Sequence, residues 1–170
     1  MSTITLTGSY NTEGRAGIGP LSQADADAIC PLGTRLNFKT PSGEVEAVYL
    51  QADSSGVTAG NICVFDNYVA TKAASTANQA RGACVACATL AASEYGWFIV
   101  NGLASMLCDA NNTADNGKAY LSSNAGVASA FAANGKQILG VVFAEAVTIS
   151  SGTAMVKTNL QHPTLQGQTA

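Results

Sequence analysis

Apolar and polar positions along this chain alternate in short runs divided by turn residues. The clearest example is the stretch Ala88-Thr89-Leu90-Ala91-Ala92-Ser93-Glu94-Tyr95-Gly96-Trp97-Phe98-Ile99-Val100-Asn101-Gly102, which holds the only tryptophan. Two apolar runs flank a polar turn, and the second is enriched in β-branched and aromatic residues. This predicts a β-hairpin with a loop of several residues, its second strand ending at Gly102. The same texture starts at Arg35. Arg35–Lys39 alternates and stops at Thr40-Pro41-Ser42-Gly43; Glu44–Gln51 is the next strand, closed by Asp53-Ser54-Ser55-Gly56. Asn61–Phe65 follows, with Asp66-Asn67 as a tight turn before Tyr68-Val69-Ala70. Turn signals every 8–12 residues or so, between runs too short for helices, predict an all-β fold: a compact antiparallel barrel or sandwich of nine or ten strands.

An internal echo accompanies the pattern. Gly82–Ala88 resembles Gly140–Ala146: each is a strand of small residues, then a turn, then a second strand, Trp97–Asn101 after the first and Ala154–Asn159 after the second. Lys118–Leu121 and Val127–Phe131 lie between them. The best helix candidate is Ala73–Ala80, weakened by Ser75, Thr76 and Asn78.

The two ends read differently. Met1–Tyr10 alternates Ser and Thr with Ile4 and Leu6, and Gly14, Gly17, Gly19 and Pro20 then break any regular element. Ser22 and Asp25 could cap one short helical turn through Ile29 before Pro31 and Gly33. Such a segment buries little by itself, so residues 1–34 are expected to be an extended arm that orders against a neighbour. Its candidate contact residues are Ile4, Leu6, Tyr10, Arg15, Ile18 and Leu21. Residues 35–160 form the β-domain, and residues 161–170 are expected to be a polar, extended tail.

Composition narrows the function classes. Charged residues make up 11% of the chain, far below the roughly 25% of ordinary soluble domains. A surface short of charge is poorly solvated, so coverage by other subunits is expected. The eight Lys and Arg residues are scattered and the net charge is −3, which speaks against nucleic-acid binding by charge neutralisation. No apolar run approaches the ~20 residues that span a bilayer, so no membrane partner is expected. The start Met1-Ser2-Thr3-Ile4-Thr5 lacks the basic and apolar regions of a secretory signal, and synthesis in a cytoplasm is expected.

Chemistry is sparse. Five cysteines (Cys30, Cys63, Cys84, Cys87, Cys108) are an odd number, and buried free thiols are expected. Cys84-Val85-Ala86-Cys87 has C-x-x-C spacing, but residues three apart on a strand point to opposite faces and no second ligand pair accompanies them. His162, the only histidine, precedes Pro163 in the expected tail, and no G-x-S-x-G elbow is present. Gly14-Arg15-Ala16-Gly17-Ile18-Gly19 lacks the lysine and following helix of a phosphate loop. Asp109, Asn111, Asn112 and Asp115 crowd one loop without a calcium-loop pattern. Neither a cofactor, nor a metal, nor a catalytic residue is assigned. Tyr95, Trp97 and Phe98 are the remaining candidates. Adjacent strand residues face opposite ways, so one of Trp97 and Phe98 is expected in the core and the other at a partner, in a trimer interface.

Several of these segments carry a family resemblance. Pro31-Leu32-Gly33-Thr34-Arg35, Tyr49-Leu50-Gln51-Ala52, Val57-Thr58-Ala59-Gly60, Glu94–Gly102, Ile138–Val142 and Ala154–Lys157 together resemble the capsid decoration (cement) proteins of tailed bacteriophages, over roughly residues 31–160. The resemblance implies a non-enzymatic virion protein, homotrimeric, on the outer surface of the capsid. There it would bind the major capsid protein and stiffen the shell. The alternatives are a head-fibre or glycan-binding module, which would expose Trp97 or Tyr95 in a groove, and an enzyme, for which residues are lacking.

Overall fold

A computed structural model describes residues 19–110 and 112–168. The fold is all-β. Its strands are β1 (Arg35–Thr40), β2 (Gly43–Ala52), β3 (Ile62–Asp66), β4 (Val69–Lys72), β5 (Ala83–Ala86), β6 (Tyr95–Asp109), β7 (Lys118–Leu121), β8 (Ala128–Ser129), β9 (Gln137–Phe143) and β10 (Thr153–Leu165). They join one ten-stranded sheet that is mixed rather than antiparallel throughout, because β2–β4 and β6–β8 run parallel.

The pairings close on themselves twice. One circuit runs β2–β4–β3–β5–β6 and back to β2. The other runs β6–β8–β7–β9–β10 and back to β6, closed at β8 by the single pair Cys108↔Ala128. In chain order the five strands of the first correspond to the five of the second, and every pairing keeps its sense. The echo between Gly82–Ala88 and Gly140–Ala146 is therefore the visible part of a larger repeat: two small barrels in tandem, with β6 the last strand of one and the first of the next.

Sharing a strand poses a problem of phase. Before residue 100 the odd positions of β6 face the larger apolar cluster (Trp97, Ile99) and the even ones the smaller (Phe98, Val100); beyond it, Ala104, Met106 and Cys108 face the larger. The switch occurs at a β-bulge: Ala47 pairs with Ile99 and Glu46 with Asn101, leaving Val100 as the extra residue. Gly102 follows with φ +100, and a Cβ there would lie 2.5 Å from the Glu44 carbonyl oxygen. The face of β6 that fills the first barrel thus becomes the outer face of the second.

The smaller cluster is the inside of the first barrel: Val48, Leu50, Cys63, Cys84, Phe98 and Val100 among others. The larger cluster wraps that barrel's outside (Ile62, Val64, Val85, Trp97) and continues into the inside of the second (Met106, Leu121, Ile138, Phe143, Leu160). Along β2, β3, β5 and the first half of β6 the first barrel is largely buried on both faces, while β4 leaves Thr71 exposed and Val69 half-buried on its outside.

Several expectations are corrected. The first strand of the hairpin is Ala83–Ala86, since it is these residues that pair with Phe98 and Ile99; 87–94 is the loop, pinned by the Val57↔Leu90 bridge. The second strand does not end at Gly102 but runs on to Asp109. Ala73–Ala80 is not helical: Asn78 and Ala80 have positive φ, and Gln79 Nε2 donates to the carbonyls of Ala74 and Thr76. Ser22–Ile29 forms no helical turn, because Asp25 instead exchanges backbone hydrogen bonds with Tyr95, both 2.9 Å. The strand β10 extends to Leu165, which is buried, so 161–165 belongs to the domain. The tight turn at 66–67 lies one residue later, with Asn67 and Tyr68 both at positive φ between paired Asp66 and Val69, as two-residue hairpin loops require.

Candidate functional site

Trp97 and Phe98 sit on opposite faces of β6, as adjacent strand residues must. Both are buried, at 1% and 0% exposed. Phe98 fills the first barrel. Trp97 lies outside it, edge-on to Phe38 with ring centres 4.9 Å apart and 5.0 Å from Tyr49. The expectation that one of the pair meets a partner is corrected: because the outside of the first barrel is itself covered, each residue fills a core of its own chain. Tyr95 is half-buried and stacks on Tyr49 at 6.4 Å.

What covers that barrel is the segment 19–34. Leu21, expected to contact a partner, is buried in the larger cluster. Buried Asp25 accepts hydrogen bonds from Tyr49 Oη on Oδ2 (2.9 Å) and from Gln23 Nε2 on Oδ1 (2.6 Å), while the Ile29 N–H donates to Tyr49 Oη (3.3 Å). Burial, with Asp25 accepting its proton, pushes the Tyr49 hydroxyl far above the usual tyrosine range. This anchor was missed in the sequence because Ser22 and Asp25 fit a helix cap equally well. Ile4, Leu6, Tyr10, Arg15 and Ile18 lie outside the described residues.

The thiols are built into the cores. Burial lifts Cys63 and Cys108 to about 12, and Cys84 well above the ordinary range. Cys84 points into the first barrel and Cys87 packs against the other cluster, so the C-x-x-C sulfurs diverge. All five cysteines are free thiols. Thiols held this far from ionisation are poor nucleophiles and poor metal ligands. Among the described residues no three His, Cys, Asp or Glu side chains are grouped to hold a metal ion. His162 lies in β10, its Nε2 3.5 Å from Glu46 Oε2, and Arg35 reaches the other Glu46 oxygen at 2.9 Å. These exposed pairs contribute little to stability.

The open surface lies on the second barrel. Beyond the bulge, β6 turns Leu103, Ser105 and Leu107 outward, opposite Asn159, Lys157 and Met155 of β10. Met155 is 47% exposed, and Leu139 on β9 is 42% exposed. A groove of about 240 Å³ runs from this face to the first barrel, lined by Leu21, Thr40, Val85, Leu103, Met155 and Lys157 among others. The alternation Leu103-x-Ser105-x-Leu107 after Gly102 is the signal in the sequence that could have located this face. No protein-family model matches the chain, and no curated protein matches it significantly.

Proposed function

We propose that this chain is a virion structural protein: a capsid decoration protein that binds the outer surface of a tailed-phage head, as a homotrimer, and tightens contacts between major capsid subunits. The observation that carries the reading is the unequal treatment of the two barrels. One is largely buried on both faces along β2, β3, β5 and β6, whereas the other presents a sheet face on which Leu103, Leu107 and Met155 flank Ser105 and the exposed Lys157. A rigid body with one lightly polar face is built for contact with neighbours, and a charged fraction of 11% fits a surface meant to be covered. Tyr10, Arg15 and Ile18 supply further contacts with the capsid. Trp97 is buried and Tyr95 is stacked on Tyr49, so a glycan-binding module would have to use the exposed aromatics Tyr68 and Phe131 instead.

The test is to mix the purified protein with undecorated heads and image them. Ordered density at symmetric lattice positions is the expected result. Heads that stay bare with excess folded protein would rule the reading out. So would binding to host surface glycans in the absence of heads.

A further inference from the structure

Ile99 and Leu103, on either side of the β6 bulge, both line the groove between the barrels. Leu21, Val85 and Met155 add to its apolar wall, and Lys157 is the only charged residue in that wall. No carboxylate lines the groove, and the Lys157 ammonium makes no ion pair among the described residues. Glu145 is close by, but its Oε1 accepts from the Lys157 backbone N–H (2.7 Å). An apolar hollow with one unpaired cation complements an apolar side chain that travels with a carboxylate. The volume of about 240 Å³ lies below the roughly 300–1,000 Å³ of pockets that enclose whole small molecules. It suits a side chain or two presented by another protein surface.

The chain carries such a pair of groups at the turn between β3 and β4. Asp66, Asn67 and Tyr68 are consecutive exposed residues, and Tyr68 is 52% exposed. Tyr68 has φ +64, a conformation that two-residue hairpin turns normally give to glycine or asparagine and a bulky residue adopts at a cost. Strain of this kind persists where the strained group is used. The ring rests against Gly33, where any side chain would collide with it, so its position is fixed. Asp66 meets Arg81 only at 3.7 Å, in an exposed pair that contributes little. The other exposed apolar residues fit less well. Phe131 and Leu139 have Lys136 as their nearest charge in sequence, the wrong sign for Lys157. Ile29 lies near Asp27, but its N–H is tied to the Tyr49 hydroxyl, which holds it to the barrel.

Turn and groove lie at opposite ends of β2. The Gln51 N–H donates to the Tyr68 carbonyl (3.0 Å) at the end of the strand, whereas Thr40 and Ser42 line the groove at its start. Gly43 and Gln51 are about 26 Å apart along the strand, so the turn does not reach its own groove. We propose that the β3–β4 turn of one copy docks in the groove of a second copy of this chain. The Tyr68 ring packs among Leu21, Val85, Leu103 and Met155, and the Asp66 carboxylate meets the Lys157 ammonium. Two unlike patches make a head-to-tail contact, which closes into a ring or runs on as a filament. A buried tyrosine anchor with one complementary charge pair is a common way to fix such a contact. The inference rests on the homotrimer in the proposed function, whose subunit contact it supplies, and needs no capsid.

Charge reversal on the full chain tests it, with self-association read by sedimentation. Asp66→Lys and Lys157→Glu each bring like charges together and are expected to weaken association about tenfold or more. The double variant restores an opposite pair and should recover most of the loss. Tyr68→Gly removes the ring and relieves the turn, so its melting temperature should hold while association weakens by a similar factor. A wild type that stays monomeric at about 100 μM would overturn the trimer and this contact together. An oligomer undisturbed by either charge reversal or by Tyr68→Gly would overturn this contact and leave the trimer standing. A double variant no better than the single ones would do the same.

Discussion

The two barrels share a topology and a strand yet live in different surroundings. In the first, β3 puts Cys63 inside and Ile62 and Val64 outside, and all three are buried. In the second, β10 puts Val156, Thr158 and Leu160 inside, while Met155, Lys157 and Asn159 face water. The same hydrogen-bonded frame thus serves as a largely enclosed core unit in one place and as a half-exposed unit in the other. The difference comes from what packs outside. The segment 19–34, β1 and the second barrel itself cover much of the first barrel, whereas the outer face of β6–β10 is covered only in part, with Gly60 packed beside Met155 and accepting from the Leu107 N–H. A sheet buried on both faces reads as continuous hydrophobicity; one with a wet face reads as alternation. That is the contrast between Ala83-Cys84-Val85-Ala86 and Met155-Val156-Lys157-Thr158.

The sharpest way to break the comparison is to place one charge on each outer face. Val64→Lys on the first barrel buries an ammonium in the larger cluster without a partner and should cost about 4 kcal/mol or more, enough to unfold many domains of this size. Chemical denaturation measures it. A loss below about 1 kcal/mol would mean that the outside of the first barrel is not enclosed.

The shared strand should be next most sensitive. Gly102→Val puts a branched side chain at φ +100 and drives its Cβ against the Glu44 carbonyl and Val45, for an expected loss of about 3 kcal/mol. Because β6 belongs to both circuits, tryptophan fluorescence and far-UV circular dichroism should still report one common transition. Two separated transitions would show that the barrels unfold independently.

The strand runs were legible in the sequence because alternation and turn residues report local geometry. What escaped depends on contacts distant in sequence. The pattern around Trp97 and Phe98 says that the two face opposite ways, yet it cannot say that a second core lies behind each. Gly102 reads as a strand end because a glycine after an apolar run usually is one; its use to carry a bulged strand from one barrel into the next is set by β2 and β10. Ala73–Ala80 has helical composition, but Ala73 donates its N–H to Ile62 and accepts from Gly126, which holds the chain extended across the junction. Leu165 looks like tail because His162 and Pro163 interrupt the pattern; the chain kinks at His162 (φ 45) and resumes pairing at Thr164. Tyr95, Trp97 and Phe98 lie in the first half of β6, while the more exposed face lies on the continuation of that strand.

Alkaline titration compares the cores in a third way. Cys63 in the first barrel and Cys108 in the second ionise near 9.0 when unfolded and at about 12 when folded, because burial penalises the thiolate. Below pH 9 both states keep the proton and the stabilisation is complete. Between about 9 and 12 the folded state alone keeps it, so stability should fall with rising pH by about 1.4 kcal/mol per pH unit for each thiol. Cys63→Ala and Cys108→Ala should each flatten that slope by a similar amount. If only one of them does, the barrels do not melt together.

The smallest effect on stability should carry the largest effect on function. Met155→Lys adds the same charge as Val64→Lys, but on a side chain already half in water and beside the exposed Ser105–Lys157 pair. Its cost should lie within about 0.5 kcal/mol. A buried ammonium has nowhere to go, whereas a lysine at this position keeps its head in solvent and lays its stem along Leu107. If the face is the contact surface, the new charge must be desolvated each time a neighbour covers it, and attachment to heads or assembly of the trimer should weaken at least about tenfold while the melting temperature holds. A Met155→Lys protein as unstable as Val64→Lys would show that both barrels are enclosed alike. A stable one that decorates heads as well as the wild type would move the contact to another part of the molecule.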